Sequence, residues 1–243
     1  LAHAVIVAGG SGLRMGTARR KQYLTLAGRP ILCHTLDAFL KTSAIADIRL
    51  VAPVADADYC RNRILSQLPR HKPIRLVPGG RSRQASVRNG LRDLEASTGP
   101  GAVVAIHDGV RPLVTSGDIG RCIEAARSHG GCILGVPAVD TLKRVDGSGL
   151  IQGTLSREAV WYAQTPQAFR FGAILTAHEA ALAEGVEETD DAALMERMGG
   201  RVRVIQGRRS NLKITTPEDL MLAEALLHLE GGGRGDDPEG GSG

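Results

Sequence analysis

Gly9, Gly10, Gly12, Arg14 and Lys21 follow closely on a β-branched apolar run, Val5-Ile6-Val7. Glycines just past a buried strand leave backbone N–H groups free to face a ligand, and two cations close behind them suit an anion; a phosphate chain is the usual occupant of such a loop. An ordinary β-to-α turn with solvated basic residues accounts for the same stretch. Two standard nucleotide signatures are absent. The dinucleotide fingerprint needs a glycine where Met15 stands, and the P-loop needs Gly-Lys-Ser/Thr where the chain has Leu13-Arg14-Met15.

More chemistry-bearing residues sit where later strands end. In "IHDGVRP", Asp108 closes a strand with Arg111 three residues on. A carboxylate beside phosphates suits Mg²⁺, which takes one or two protein oxygens plus phosphates and waters; a ribose contact or a turn-capping role are its alternatives. His107 reads as a packed strand-end histidine. "GGRSRQASV" places Gly79 and Gly80 ahead of a helix, where bare backbone can approach a flat base or ribose, with Arg81, Ser82, Arg83 and Ser86 following. Ser82 equally suits an N-cap. Asn211 and Lys213 follow the last strand-like run.

The elements that position these residues alternate. AVIVA, "IRLVAP", "PIRLVPG", "AVVAIHD", "GCILGVPA" and "RVRVIQG" read as strands, and "PILCHTLDAFLKTS", "ADYCRNRILSQL", "RQASVRNGLRDLE", "SGDIGRCIEAARSHG", "PQAFRFGAILTAHEAALAEG", "DDAALMERMG" and "TPEDLMLAEALLHLE" as helices, the last with Thr216 as N-cap. Such β-α alternation implies an α/β fold with a mainly parallel twisted sheet flanked by helices, and ligands then bind beyond the carboxyl ends of the strands. Between about 137 and 160 the rhythm breaks: Asp146-Gly147-Ser148-Gly149 between short β-prone pieces predicts a β-hairpin, which serves a domain or subunit contact or is a plain solvent-exposed insertion. The expected folded unit is 1–230, and the glycine-rich 231–243 reads as a flexible tail.

Composition narrows the function classes. The chain has 243 residues, 42% hydrophobic and 23% charged, with a net charge of +4. One arginine against three acids gives the tail −2, leaving +6 on the body, a modest field suited to small anionic ligands. With 3% aromatic residues and no basic stripe alternating with stacking residues, nucleic acid is not an expected partner. No apolar run approaches a membrane span and the first residues enter a strand directly, so the expectation is a cytoplasmic protein. Cys33, Cys60, Cys122 and Cys132 lack metal or disulfide spacing and read as buried small residues.

In order along residues 4 to about 228, the motifs A-G-G-x-G-x-R-M-G, K-Q-Y-L, G-R-P-I-L, G-G-x-x-R-x-x-S-V, H-D-G-V-R-P, D-T-L-K-R, Q-T-P-Q-A-F, T-D-D-A and N-L-K-I-T-T-P-E-D-L closely resemble the 2-C-methyl-D-erythritol 4-phosphate cytidylyltransferases of the non-mevalonate isoprenoid pathway. The resemblance implies a Rossmann-like nucleotidyltransferase domain with an inserted hairpin arm, through which the family forms homodimers. It implies that Ala8, Gly9, Gly10 and Gly12 cradle the CTP triphosphate while Arg14 and Lys21 neutralise it. Gly80, Arg81 and Ser86 would lie at the cytosine and ribose, Gly109 at the ribose, Asp108 near Mg²⁺ or another divalent cation, and Lys213 at the α-phosphate. Thr141 and Arg157 on the arm would reach into the partner's site to hold the polyol phosphate, joined by Arg111, Thr165 and Thr189.

Two departures widen the acceptor choice. Ala8-Gly9-Gly10 in place of Ala-Ala-Gly, and Arg20-Lys21 in place of Pro-Lys, also suit sister cytidylyltransferases acting on pentitol phosphates such as ribitol 5-phosphate. "DTLKRV" and "SREAVWYAQTPQ" look more like the methylerythritol family. A non-catalytic nucleotide sensor on the same fold would keep the glycine loop but have no use for Lys21, Asp108, Arg157 and Lys213 together.

Overall fold

A computed structural model describes residues 1–10 and 20–232. Its frame is a seven-stranded sheet built from β1 (Ala2–Val7), β4 (Ile45–Ala52), β5 (Ile74–Pro78), β6 (Val103–Asp108), β7 (Gly131–Pro137), β10 (Trp161–Arg170) and β11 (Arg203–Gln206). The order across it is β11-β7-β10-β6-β1-β4-β5. All neighbouring pairs are parallel except those of β10, which runs antiparallel to both β6 and β7.

Side chains alternate across the sheet, so consecutive residues feed opposite faces. Ala4 and Ile6 of β1 and Val103 and Ala105 of β6 join the core beneath α1 (Ile31–Lys41) and α4 (Ser116–His129). Val5 and Val7, Val104 and Ile106 enter the opposite core, beneath α3 (Arg83–Glu95), α5 (Phe171–Glu184) and α6 (Asp191–Arg197). That two-sided burial is why these strands are apolar throughout and not alternating. The four cysteines are buried and unpaired.

Two helix expectations change. "ADYCRNRILSQL" is a broken run of short turns: a 3₁₀ turn at Val54–Asp56, α2 (Ala57–Tyr59), a π-type turn at Cys60–Ile64 and a 3₁₀ turn at Leu65–Gln67. Pro166 to Arg170, expected to begin a helix, instead completes β10, because Gln167 to Arg170 pair with β6 on one side and Gln167 to Phe169 with β7 on the other. The helix starts only at Phe171.

The hairpin forms as expected: β8 (Leu142–Val145) pairs antiparallel with β9 (Ile151–Leu155) outside the main sheet. Its turn is local chemistry. Asp146 Oδ1 accepts from the Ser148 and Leu150 backbone N–H groups at 2.9 and 3.1 Å, and Gly149 takes φ +86°, which glycine adopts at little steric cost. A smaller hairpin, β2 (Thr25–Leu26) and β3 (Arg29–Pro30), precedes α1. The closing helix α7 (Pro217–Gly232) runs two residues into the stretch expected as tail, and Thr216 Oγ1 accepts from Asp219 N at its start. Among the described residues no helix is long and apolar enough to cross a membrane.

Candidate functional site

β1 and β6 are adjacent parallel strands, so their carboxyl ends deliver Ala8 and Asp108 side by side. Beyond them lie two adjoining cavities, of about 320 and about 240 Å³, which share Arg83, Asp108 and Lys213 in their walls. The larger is lined by Ala8, Gly9, Gly10, Lys21, Gly80 and Arg81, the smaller by Arg111, Thr165 and Thr189. Ala8, Gly9, Gly10, Gly80, Arg81 and Ser86, expected to meet a nucleotide, thus line one compartment and Arg111, Thr165 and Thr189, expected to meet an acceptor, the other, with Arg83, Asp108 and Lys213 in the walls of both. Gly12 and Arg14 lie outside the described residues.

The larger compartment is shaped by its loop anchors. Gln22, buried in the Lys21–Tyr23 turn, donates from Nε2 to the Ala8 carbonyl at 2.6 Å and so ties the glycine loop to the lysine turn. Opposite, Ser86 Oγ accepts from Gly80 N at 3.0 Å and donates to Ser82 O at 2.8 Å. Ser86 thus lines the cavity while its hydroxyl is spent on the loop. Ser82 caps α3 by accepting from Ala85 N. A Cβ at Gly80 would come within 2.5 Å of Ala85 Cβ and 2.8 Å of the Ala85 carbonyl carbon, so the turn into α3 closes only around glycine. Gly109 does not line either cavity. Its N–H bonds Val7 O at 2.9 Å, and a Cβ there would press on Leu32 and the Val7 carbonyl, which makes close strand packing the reason for its glycine.

Asp108 is the electrostatic centre. Its side chain is 8% exposed; Oδ1 accepts from Arg83 Nε at 2.9 Å, and Oδ2 faces Lys213 Nζ at 2.8 Å and Arg111 Nε at 3.9 Å. Burial alone would raise its pKa, but Arg83, Lys213 and Arg111 outweigh burial and hold the carboxyl far below the usual range. Both oxygens of the carboxylate expected to meet a metal thus face cations. Mg²⁺ at this edge would draw on Asp108 only in competition with Arg83, Lys213 and Arg111.

Lys213 is placed by Ile214 N donating to Val110 O, and Arg111 by donating from Nη1 to Asn211 O at 2.8 Å. Thr165 Oγ1 accepts from Asp108 N at 3.1 Å and lies 2.9 Å from His107 Nδ1. With His107 Nε2 at 3.2 Å from Arg111 O, the ring is satisfied as a neutral Nε2–H tautomer that accepts at Nδ1. The reading of His107 as packed strand-end residue agrees with its complete burial.

Three residues take parts that their sequence positions did not assign to them. Arg83 and Asp191 form a buried ion contact behind Asp108, and Gln22 clamps the glycine loop. Arg83 and Gln22 stood beside expected site residues, Arg81 and Lys21, whereas Asp191 appeared only within the T-D-D-A motif. Thr141 and Arg157, by contrast, line neither cavity of their own chain; both are exposed on the arm, where Arg157 Nη1 donates to Val139 O.

Burial holds the His107 pKa down to about 3. The unfolded chain takes up that proton near 6.5, so His107 leaves stability undiminished above about 6.5 and lowers it as pH falls toward 3, by up to about 1.4 kcal/mol per pH unit. His34, also lowered by burial, adds in the same direction, and Asp108 joins only below about 4, where an unfolded carboxylate protonates. Urea unfolding at pH 7 and pH 5 is expected to show a loss about 2 kcal/mol larger in the wild type than in His107→Gln. Equal losses in the two proteins would place the proton uptake elsewhere.

The family model for 2-C-methyl-D-erythritol 4-phosphate cytidylyltransferase matches residues 2–229. A cytidylyltransferase of that name from Geotalea uraniireducens is 48% identical over 224 residues, covering 92% of this chain and 95% of its own. The crystal structure of 4-diphosphocytidyl-2C-methyl-D-erythritol synthase from Anaerococcus prevotii superposes with a TM-score of 0.81 at 34% identity, covering 93% of this chain and 96% of that one. The Thermus thermophilus cytidylyltransferase structure gives 0.73 at 33% identity, over 94% and 100% of the two chains.

Proposed function

From the premise that the chain belongs to the 2-C-methyl-D-erythritol 4-phosphate cytidylyltransferase family, we propose how its own residues divide the work of the reaction. The enzyme transfers the cytidylyl group of CTP to 2-C-methyl-D-erythritol 4-phosphate, releasing pyrophosphate. The observation that carries the division is the meeting of the two cavities at Asp108, Arg83 and Lys213.

The larger cavity takes the nucleotide. Backbone N–H groups of Gly9 and Gly10, with Lys21 beside them, face the triphosphate, while Gly80 and Arg81 border the base and ribose. The smaller cavity takes the acceptor phosphate against Arg111, Thr165 and Thr189. A phosphate monoester with its second pKa near 6 is already mostly dianionic at pH 7, so no general base is required. That fits a site of cations and neutral hydroxyls in which His107 is packed away.

The barrier is charge, since two anions must approach and the pentacoordinate transition state concentrates negative charge on its equatorial oxygens. Lys213, held at the wall between the cavities, and Lys21 are positioned to oppose it, while separate pockets align acceptor and α-phosphorus for in-line attack. Mg²⁺ is the expected companion of the triphosphate, held by its oxygens and by water and not by Asp108. Pyrophosphate release from CTP is expected to be strong with methylerythritol phosphate and at least ~10²-fold weaker with ribitol 5-phosphate or with UTP. Comparable turnover with ribitol 5-phosphate would transfer the acceptor assignment to pentitol phosphates.

We also infer a homodimer through the hairpin arm. Val145, Leu150, Ile151 and Leu155 on the arm and Trp161 and Tyr162 at its base are exposed apolar side chains on a two-stranded element that is marginal alone in water. Thr141 and Arg157, absent from their own chain's cavities, then reach the partner's acceptor site, where an arginine fork suits a phosphate. Arg157→Ala is expected to raise the acceptor KM while leaving CTP affinity nearly unchanged. Mixing it with Lys21→Ala should restore part of the lost activity, because one of the two shared sites in a heterodimer is then whole. Proven subunit exchange without recovery would put both residues to work within one chain.

A further inference from the structure

Behind Asp108 runs a buried chain of charge that the reaction as described leaves unused. Arg83 is the first residue of α3, where the helix dipole disfavours a cation, yet its side chain is only 27% exposed. It bridges two carboxylates: Nε to Asp108 Oδ1 at 2.9 Å and Nη2 to Asp191 Oδ2 at 2.9 Å. The second contact lacks the alignment of a hydrogen bond, so it is chiefly Coulombic.

Asp191 is 1% exposed, at the first residue of α6, and its Oδ1 lies 3.1 Å from Nε2 of His178, which is wholly buried on α5. The backbone N–H groups of Asp191 and Ala192 both donate to Gln167 Oε1, at 3.1 and 3.0 Å, and Gln167 Nε2 donates to Asp190 Oδ2. The carboxylate is held by His178 of α5 and faces Arg83 of α3, while Gln167 of β10 fixes the backbone that carries it. Burial would raise its pKa, but Arg83 and His178 outweigh that and keep it ionised.

A largely buried arginine held between two carboxylates is a poor device for stability alone, since well-packed apolar side chains of the same volume often do as well or better. Its geometry has another consequence. With Asp191 drawing on one edge of the guanidinium, Arg83 engages a single oxygen of Asp108, and the other oxygen stays turned to Lys213. Without Asp191, the whole positive charge of Arg83 faces Asp108 and competes with Lys213 for the carboxylate.

We infer that Asp191, which lines neither cavity, is a positioning residue for cytidylyl transfer, acting through Arg83 and Asp108 to fix the Lys213 ammonium where the cavities meet. This rests on the proposed division of the site, and its test keeps the two apart.

Asp191→Asn preserves size and a hydrogen bond to His178 while removing the charge. In the wild-type background it is expected to lower kcat about tenfold, with the KM for CTP changed less than about twofold. In the Asp108→Asn background the same substitution should cost less than about twofold further, because the route through Asp108 is already cut. A tenfold loss in both backgrounds, or equal rises in both KM values with kcat intact, would make Asp191 merely structural and overturn the inference. If Asp191→Asn does not fold, Arg83→Lys, which keeps a cation but cannot span both carboxylates, carries the same comparison; full kcat in that variant overturns the inference as well. Wild-type turnover of methylerythritol phosphate tests the underlying reading separately, since a coupling measured on a different acceptor would leave the inference standing and the acceptor assignment fallen.

Discussion

Asp108→Asn is expected to lower kcat by about 10² to 10³ and to destabilise the fold by about 3–5 kcal/mol. Both effects have one source. Asparagine keeps the size of the side chain, but Arg83, Arg111 and Lys213 then face one another around a neutral amide at a site where the carboxylate was 8% exposed. The stability loss is that of three partly buried cations left without their counter-charge, read by urea unfolding at pH 7. The kinetic loss arises because Lys213 no longer has an anchor 2.8 Å away.

The Mg²⁺ concentration for half-maximal activity should stay where it is, since the carboxylate is committed to cations. A shift to higher Mg²⁺ would reinstate Asp108 as a metal ligand. A variant that retains full activity would remove it from the site altogether.

The second large effect belongs to Lys21. Lys21→Ala is expected to reduce kcat/KM by about 10² to 10³, equivalent to about 2.7–4 kcal/mol of transition-state stabilisation, while the unfolding midpoint changes by no more than about 0.5 kcal/mol in free-energy terms. The contrast with Asp108 follows from their settings. Lys21 is partly exposed on a short turn whose fixed points are its neighbours: Gln22, donating to Ala8 O, and Tyr23, whose hydroxyl donates to Asp56 at 3.0 Å. Removing the ammonium leaves those anchors in place, and the side chain runs close by the loop, since a Cβ at Gly10 would lie 3.6 Å from Lys21 Cε. The loop should therefore keep its shape and lose its charge. A folded Lys21→Ala enzyme within tenfold of wild type would reduce Lys21 to a solvated residue. A large drop in melting temperature would instead make it a structural lysine.

What the amino-acid sequence determined by itself is whatever depends on near neighbours. Apolar runs such as Val5-Ile6-Val7 and Val103 to Ile106 specify strands covered on both faces, and alternation with amphipathic helices implies a mostly parallel sheet, which in turn puts Ala8, Asp108 and Gly80 at one edge. The arm's turn was legible because Asp146 bonds residues only two and four positions ahead. The helix starts at Thr216 and Ser82 were legible for the same reason.

Tertiary structure alone decided the rest. Pro166 to Arg170 became strand because β6 and β7 offer hydrogen bonds on both sides, a long-range gain that local helical pattern cannot register. The cation partners of Asp108 were equally out of local reach, since the fold brings Arg83 and Lys213 onto its two oxygens from 25 positions before it and 105 after. Asp191 looks like the start of a helix until β10 and α5 close around it. Ion contacts between distant segments carry no periodicity and leave no mark on local propensity; they exist only once packing has excluded water and made an unpaired charge costly.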